Sequence, residues 1–357
     1  MPAAPLPDGP VRIAIAGDRF MRPVFFEQAL RAVPALAARE LDCRHLELEW
    51  PDTPFVNGHA GTPTAGLKEF LGEPDAIAAF IGDAQVLVNH LAPVTAGVLE
   101  QCPGLALIAV SRGGPVNIDM AAARARGVPV VNAPGRNASA VAEFTIGMIL
   151  AQTRLITLGH RDLARGIWRG DLYRADTTGE ELCNLSVGLI GYGEIGTRVV
   201  RLLKPFGCRI LVTDPYVTLR EEDARGGVRQ VDLAALLAEC DVVSLHARVT
   251  SETTGFLGAK AFAQMKRGAT FINTARGPMV DYAALEAALV RGHLRGAALE
   301  TFDIEPPQAD RSLLRLPNVT LTPHIAGASI KTVKHAAAMV AEELRRFLAG
   351  EPFLNPC

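Results

Sequence analysis

Three polar side chains suited to acid–base chemistry and anion binding follow strand-like runs in the second half of the chain. Arg276 comes after ATFINTA, Glu305 after GAALETFDI and His324 after VTLTP. Ligands of open α/β sheets bind beyond the carboxyl ends of the strands, so polar residues at these positions carry particular weight. Each alone could be an ordinary turn or structural residue. Their joint occurrence predicts a shared site.

The three side chains match what carbonyl reduction requires. Hydride addition to a keto carbon leaves an alkoxide that must receive a proton, and histidine is the usual donor near neutral pH. His324 is the predicted general acid, and Glu305 is expected to hold one ring nitrogen and favour the protonated ring. The planar guanidinium of Arg276 can bind a carboxylate through two hydrogen bonds and polarise the adjacent carbonyl.

A glycine-rich turn, GYGEIG, lies between the apolar run VGLI and the helical pattern TRVVRLLKPF. Glycines at this spacing allow a tight turn, close approach of the backbone to a pyrophosphate, and close helix packing. The pattern predicts a dinucleotide site. The residues predicted to contact the cofactor are Gly191, Tyr192, Gly193, Glu194, Ile195, Gly196, Asp214, Pro215, His246, Thr274 and Ala275.

Asp214 ends the following strand-like run, RILVTD. A carboxylate there accepts hydrogen bonds from an adenosine ribose hydroxyl and repels a 2′-phosphate, so NAD is predicted over NADP. The alternative is that Asp214 merely begins a turn with Pro215, as Asp-Pro pairs often do.

Alternating strand-like and helical segments predict an α/β fold with two doubly wound parallel sheets. The second series, which contains the glycine turn, predicts a Rossmann NAD-binding domain at 136–326 with six strands. It is inserted in a flavodoxin-like substrate domain formed by 1–135 and 327–357. Near the junctions we expect a connecting helix over 139–156, capped by Ser139, and a returning helix over 330–349. Trp168 is expected to pack between the domains as part of the linker, and contact with the active site is the alternative.

Composition narrows the classes of partner. The 357 residues are 49% hydrophobic with a formal net charge of −2, and they show no basic stripe, so neither nucleic acid nor a membrane is an expected partner. Six scattered cysteines without a C-x-x-C pair predict neither a metal site nor a disulfide framework. The opening MPAAPLPDGP lacks the features of a secretory signal, and we expect a cytoplasmic protein.

The motifs GYGEIG, TDPY, INTARGPMVD, ETFDIEP and TPHIAG resemble, in order and spacing, the signatures of the D-isomer-specific 2-hydroxyacid dehydrogenase family. The resemblance implies the roles given above for Arg276, Glu305 and His324, action on a small 2-hydroxy or 2-keto acid, and a homodimer formed through the NAD-binding domains. It also implies that the loop 111–117 receives the substrate carboxylate. The predicted substrate-binding residues are Ser111, Arg112, Gly113, Gly114 and Arg276.

Several positions depart from the family pattern. The common A-L-D-V-F becomes ALETF at 298–302, and Arg248 stands where a proline is frequent. Family members that act on phosphoglycerate carry an arginine after the third strand, where this chain has NHL at 89–91. A phosphorylated substrate is therefore disfavoured unless Arg112 or another cation substitutes. Two alternatives stay open: a D-3-phosphoglycerate dehydrogenase-like activity, and a non-catalytic NAD(H)-sensing protein like the corepressors of this fold.

Overall fold

The computed structural model describes residues 9–357, which form two compact units. The first unit runs as far as Asn137 and resumes as Ala328–Cys357, while the second is the continuous segment Ala138–Gly327. Each unit contains a parallel sheet flanked by helices, which confirms the predicted fold class. The chain's first eight residues lie outside the described range.

The first unit has a five-stranded sheet in the order β2-β1-β3-β4-β5, with every pair parallel. This is the flavodoxin-like order, which changes direction between β1 and β3. The strands are β1 (Val11–Asp18), β2 (Leu41–Leu48), β3 (Val86–Asn89), β4 (Leu107–Val110) and β5 (Val130–Val131). The helices are α1 (Pro23–Ala32), α2 (Pro34–Ala37), α3 (Pro74–Ile81), α4 (Ala96–Gln101), α5 (Met120–Ala125) and, from the end of the chain, α13 (Ile330–Ala349).

Both faces of this sheet are buried, as expected of parallel sheets. One face packs against α3, α4 and α5. The other packs against α1 and α13, and α13 contributes Val333, Ala337, Val340 and Leu344 to that core. The last residues also pair with the sheet, since Val131 and Pro356 form a β-bridge. The core of the first unit is therefore completed by the end of the chain.

The second unit has a seven-stranded parallel sheet in the order β12-β11-β10-β9-β6-β7-β8. This order contains the dinucleotide-fold arrangement, with a switch in direction between β6 and β9. The strands are β6 (Ser186–Ile190), β7 (Arg209–Thr213), β8 (Arg229–Gln230), β9 (Val242–Leu245), β10 (Thr270–Asn273), β11 (Gly296–Leu299) and β12 (Val319–Leu321). The helices are α6 (Ala138–Thr153), α7 (Ile156–Leu163), α8 (Glu194–Leu203), α9 (Glu221–Arg225), α10 (Leu233–Glu239), α11 (Ala259–Gln264) and α12 (Tyr282–Val290).

Four details differ from the sequence-based expectation. The sheet gains β8, a two-residue edge strand whose side chains are exposed. The connecting helix begins at Ala138, so Ser139 lies inside it and is not its cap. It ends at Thr153, and Leu155, with a φ of 58°, separates it from α7. Trp168 is 84% exposed, so the expectation that it packs was wrong.

Within residues 9–357, no single helix has both the length and the apolar character needed to cross a membrane. The pair α6 and α7 meets that test only jointly, and the two helices are bent by 68° at their junction.

Candidate active site

The glycine turn follows β6 at the switch point of the second sheet, and each glycine has a distinct steric environment. Gly191 has a φ of +104°, and a Cβ there would lie 2.7 Å from the backbone nitrogen of Ala247. A Cβ on Gly196 would lie 2.2 Å from the carbonyl oxygen of Gly191. A Cβ on Gly193 would meet no atom within 4 Å, so it would project into open space next to the first turn of α8. The turn therefore leaves room for a pyrophosphate at a helix N-terminus.

The other residues of the turn contribute less through their side chains. Tyr192 is fully buried and its hydroxyl donates a hydrogen bond to Asp223, so only its backbone could contact a cofactor. Glu194 forms an exposed ion pair with Arg198 at 2.5 Å. Ile195 is partly buried and packs against the core of the unit.

Asp214 follows β7 and is bonded to its own turn. Its Oδ2 accepts a hydrogen bond from the Tyr192 amide at 2.8 Å, and its Oδ1 accepts from the amides of Tyr216 and Val217 at 2.9 and 3.0 Å. The turn-forming role considered from the sequence is thus present. Each carboxylate oxygen can accept two hydrogen bonds, so the group retains acceptor capacity for a ribose hydroxyl. Pro215, the next residue, is exposed.

His246 follows β9, on the other side of the same switch point. It is buried, and its Nε2 lies 2.9 Å from the Ser244 hydroxyl. Burial lowers the pKa of His246 to about 3, so the ring is neutral at physiological pH. Its Nδ1 is buried and has no hydrogen-bond partner among residues 9–357. An unpaired polar atom beside the glycine turn fits a ligand with polar groups.

Thr274 and Ala275 follow β10, and both are buried. The Thr274 hydroxyl lies 2.8 Å from that of Thr145, and the Ala275 amide donates to the Asn273 side chain at 3.0 Å. These contacts fix the backbone at the strand end from which Arg276 projects.

His324 and Glu305 are in direct contact. The Nδ1 of His324 lies 2.8 Å from Oε2 of Glu305, while Oε1 of the same carboxylate accepts the amide of Phe302 at 2.9 Å. Partial burial of Glu305 opposes ionisation, but these hydrogen bonds and the charges of His324 and Arg276 outweigh it, so the pKa of Glu305 is lowered. The carboxylate is therefore ionised near neutral pH, and it holds the Nδ1 side of the ring.

Arg276 lies on the same edge of the sheet and is exposed. Its Nη1 donates to the carbonyl of Ala275 at 2.8 Å, and its charge contributes to lowering the pKa of Glu305. No carboxylate among residues 9–357 forms an ion pair with its guanidinium, which leaves the group available to an anionic ligand.

Glu300 was not identified from the sequence as part of the site, although it departs from the family's A-L-D-V-F. It is fully buried at the end of β11, and burial raises its pKa. Its side chain accepts hydrogen bonds from the Thr322 hydroxyl and the Ala326 amide, and its carbonyl accepts from the His324 amide at 3.0 Å. His324 itself has a φ of 55°, so Glu300 supports a loop with an uncommon backbone conformation.

The predicted carboxylate loop lies in the first unit, after β4. Its Ser111 is buried, and the Ser111 hydroxyl has no hydrogen-bond partner among residues 9–357. The amides of Gly113 and Gly114 have no acceptor in the same range, and a Cβ on either residue would meet nothing within 4 Å. Arg112 pairs with the exposed side chain of Glu69. In residues 9–357, no group of three or more His, Cys, Asp or Glu side chains could hold a metal ion.

Residues 146–326 match the family described as D-isomer specific 2-hydroxyacid dehydrogenase, NAD binding domain. The chain is 37% identical over 276 residues to the 2-hydroxyacid dehydrogenase YoaD of Bacillus subtilis, in an alignment that covers 76% of this chain and 79% of that protein. This chain belongs to the D-isomer specific 2-hydroxyacid dehydrogenase family. It is therefore an NAD-dependent oxidoreductase, and the family acts on small 2-hydroxy or 2-keto acids.

Two further proteins are similar to this chain over most of its length. It is 39% identical over 274 residues to a glyoxylate reductase of Korarchaeum cryptofilum, covering 76% of this chain and 82% of the relative. The crystal structure of the TT0316 protein from Thermus thermophilus superimposes with a TM-score of 0.75 at 30% identity, over 96% of this chain and 99% of that one. The family assignment and the NAD dependence expected from the motifs are confirmed.

Proposed function

We propose that Arg276, Glu305 and His324 catalyse the reversible reduction of a small 2-keto acid to its 2-hydroxy acid. The observation that carries this proposal is the 2.8 Å contact between Nδ1 of His324 and Oε2 of Glu305. All three residues lie at the carboxyl edge of the sheet that bears the glycine turn, where ligands of this sheet type bind. The carboxylate occupies one ring nitrogen, so the other, Nε2, is left for the substrate.

Each side chain has one task in the proposed reaction. Arg276 binds the substrate carboxylate and polarises the adjacent keto group. The hydride that reaches C2 would come from NADH held by the glycine-turn residues. His324 donates its Nε2 proton to the oxygen that becomes a hydroxyl, and in the reverse direction it accepts that proton. Glu305 keeps the ring in the required orientation through its contact with Nδ1, so it acts through His324.

The residues that would hold NAD are those of the glycine turn with Asp214 and His246. Gly193 leaves space for the pyrophosphate, Asp214 retains acceptor capacity for the ribose, and His246 has an unpaired ring nitrogen. On this basis we assign the NAD-binding role to the continuous unit and the substrate-binding role to the discontinuous one. In the latter, the free amides of Gly113 and Gly114 would receive the substrate carboxylate.

We further propose a homodimer formed through the NAD-binding unit. A chain segment of that unit exposes large apolar side chains, a feature typical of interaction surfaces. They are Ile156 (57% exposed), Leu163 (56%), Ile167 (51%), Trp168 (84%) and Tyr173 (93%). Sedimentation of the wild type and of a Trp168→Glu variant tests this assignment. A wild type that sediments as a monomer overturns it.

We also propose that the protein works in the cytoplasm on small acids rather than on nucleic acid or membranes. Its six cysteines are all free thiols, which fits a reducing compartment.

The proposed function is tested with a panel of 2-keto acids: glyoxylate, hydroxypyruvate, pyruvate and 2-oxoglutarate, each with NADH. We expect oxidation of NADH with at least one of them.

Arg276→Ala should raise KM and lower kcat, because a charge-assisted hydrogen bond contributes about 1.5 to 3 kcal/mol. NADH binding without turnover of any keto acid would instead support the NAD(H)-sensing alternative.

A further inference from the structure

A second histidine–carboxylate pair lies in the first unit, whose sheet does not bear the glycine turn. Asp18 ends β1 and His90 directly follows β3, so the pair lies where the order of the first sheet changes direction. Both side chains are buried, and Nδ1 of His90 lies 2.5 Å from Oδ2 of Asp18. Such switch points are the preferred ligand sites of open α/β sheets.

The pair presents a neutral ring nitrogen to an arginine. Burial lowers the pKa of His90 to about 4 despite the nearby carboxylate, so the ring is neutral and its Nδ1 donates to Asp18. Nε2 is then an acceptor, and Nη2 of Arg136 lies 3.5 Å from it. Asp18 thus orients His90, and His90 orients the Arg136 guanidinium.

Arg136 is a partly buried cation, and one of its two terminal nitrogens is fully buried. No carboxylate among residues 9–357 forms an ion pair with it, and its Nη1 is buried without a hydrogen-bond partner in that range. Burial and the nearby charge of Arg112 lower the pKa of Arg136 to about 10, although the Asp18 carboxylate opposes this shift, and the group remains charged at neutral pH. A partly desolvated charge with an unpaired N–H costs free energy, and a bound anion would recover part of that cost.

Two neighbours extend this polar cluster at the same edge. Arg112 follows β4, and its only carboxylate partner in the described residues is the exposed Glu69. Ser111 contributes a buried hydroxyl with no partner in residues 9–357. The amides of Gly113 and Gly114 are already available to one substrate carboxylate. The two guanidinium groups and the Ser111 hydroxyl are therefore available to a second anionic group.

We propose that Arg136 and Arg112, with the Ser111 hydroxyl, form a subsite for a second anionic group of the substrate, so that the preferred substrate is a dianionic 2-keto acid. This inference rests on the proposed function for its reaction and adds the substrate class. The second group could be a carboxylate or a phosphate, which share the charge and the oxygen acceptors that a guanidinium binds.

The test compares keto acids of similar size that differ in charge. Oxaloacetate is measured against 2-oxobutyrate, and 3-phosphohydroxypyruvate against hydroxypyruvate. We expect kcat/KM to be about 10- to 100-fold higher for a dianion than for its monoanionic counterpart, because one or two charge-assisted hydrogen bonds contribute that much. The pair with the larger ratio shows whether the second group is a carboxylate or a phosphate. Arg136→Gln should remove most of that preference and change kcat/KM for the monoanion by less than about threefold. The matched control is Arg39→Gln, an exposed arginine of the same unit.

A binding experiment without turnover completes the test. Succinate should raise the thermal unfolding temperature of the wild type more than butyrate does, and this difference should shrink in Arg136→Gln and in Arg112→Gln. Should Arg136→Gln fail to fold, Arg112→Gln gives the same comparison. Equal kcat/KM for mono- and dianions, unchanged by either variant, overturns the subsite and leaves the proposed function standing. Lack of any keto-acid turnover overturns the proposed function, while the succinate shift still decides the subsite.

Discussion

Nδ1 of His324 lies 2.8 Å from Oε2 of Glu305, and the other oxygen of that carboxylate is held by the Phe302 amide. Each oxygen of the Glu305 carboxylate therefore has a partner, one the Phe302 amide and the other the His324 ring. Proton transfer to a substrate must then use Nε2 of His324.

Replacing His324 by alanine should lower kcat by about 100- to 10,000-fold, the contribution of a positioned general acid. The dissociation constant for NADH, measured by fluorescence titration, should stay within about twofold, because the ring is not among the residues proposed to hold the cofactor. Glu305→Gln should lower kcat by a smaller factor than His324→Ala does, and it should alter the dependence of kcat on pH. Full activity of His324→Ala would remove His324 from the mechanism.

Two glycines of the turn should respond differently to the same substitution. Gly193→Ala places a methyl group in open space, so it should leave the unfolding temperature unchanged and weaken NADH binding by about tenfold or more. Gly196→Ala places its methyl 2.2 Å from the Gly191 carbonyl and should destabilise the fold by about 1 to 3 kcal/mol. Calorimetry and NADH titration of both variants check this. Unchanged NADH affinity in Gly193→Ala would contradict the assignment.

Asp214 combines turn formation with the proposed choice of cofactor, and two variants separate these roles. Asp214→Asn retains an acceptor for the amides of Tyr216 and Val217 but loses the charge and the oxygen that accepts the Tyr192 amide. We expect it to lose about 1 kcal/mol of stability. The kcat/KM ratio of NADH to NADPH should fall on the order of tenfold. Asp214→Ala should lose both. A wild type that prefers NADPH would refute the cofactor role of Asp214.

The Asp18–His90 pair should make stability depend on pH. Burial opposes ionisation of Asp18, but hydrogen bonds from His90 and two backbone amides outweigh it and lower its pKa below the ordinary 3.8. A depressed acid pKa stabilises the fold above the ordinary value, and that stabilisation is lost as the pH falls through the folded-state value. Asp18→Asn should therefore lower the unfolding temperature by about 3 to 10 °C between pH 7 and 5.

Below pH 3.8 the difference between Asp18→Asn and the wild type should narrow. Asp52→Asn, an exposed residue of the same unit, serves as the control and should show no gap at any pH. A gap that widens on acidification would reverse the assigned direction of the Asp18 shift.

The features that the sequence predicted well have strong local signals. The bounds of β7, β10, β11, β12 and α13 agree with the apolar runs, because buried parallel strands and an amphipathic helix are continuous in the sequence. β8 was missed because Arg229 and Gln230 are polar, exposed and only paired at an edge. The break at Leu155 was missed because no glycine or proline marks it.

Within the site, residues with long-range partners were the ones missed. Glu300 acts on a loop 22 residues later, and His90 bonds a carboxylate 72 residues earlier. Arg136 has no local motif, since its importance lies in a buried terminal nitrogen that has no hydrogen-bond partner among residues 9–357. Tyr192 was predicted because it lies in the glycine motif, yet its side chain belongs to the core. Periodicity locates elements but does not report which distant groups are left unpaired.

The discontinuity of the first unit has a consequence for biosynthesis. Its core needs Val333, Val340 and Leu344 of α13, whereas the second unit is one uninterrupted segment. On the ribosome, the inserted unit can fold as soon as residue 327 emerges. One face of the first sheet is covered only in part, by α1, until α13 is released. Loss of α13 alone would leave Ile13, Leu107 and their neighbours exposed to aggregation and to chaperones, even though it removes none of the residues assigned to catalysis.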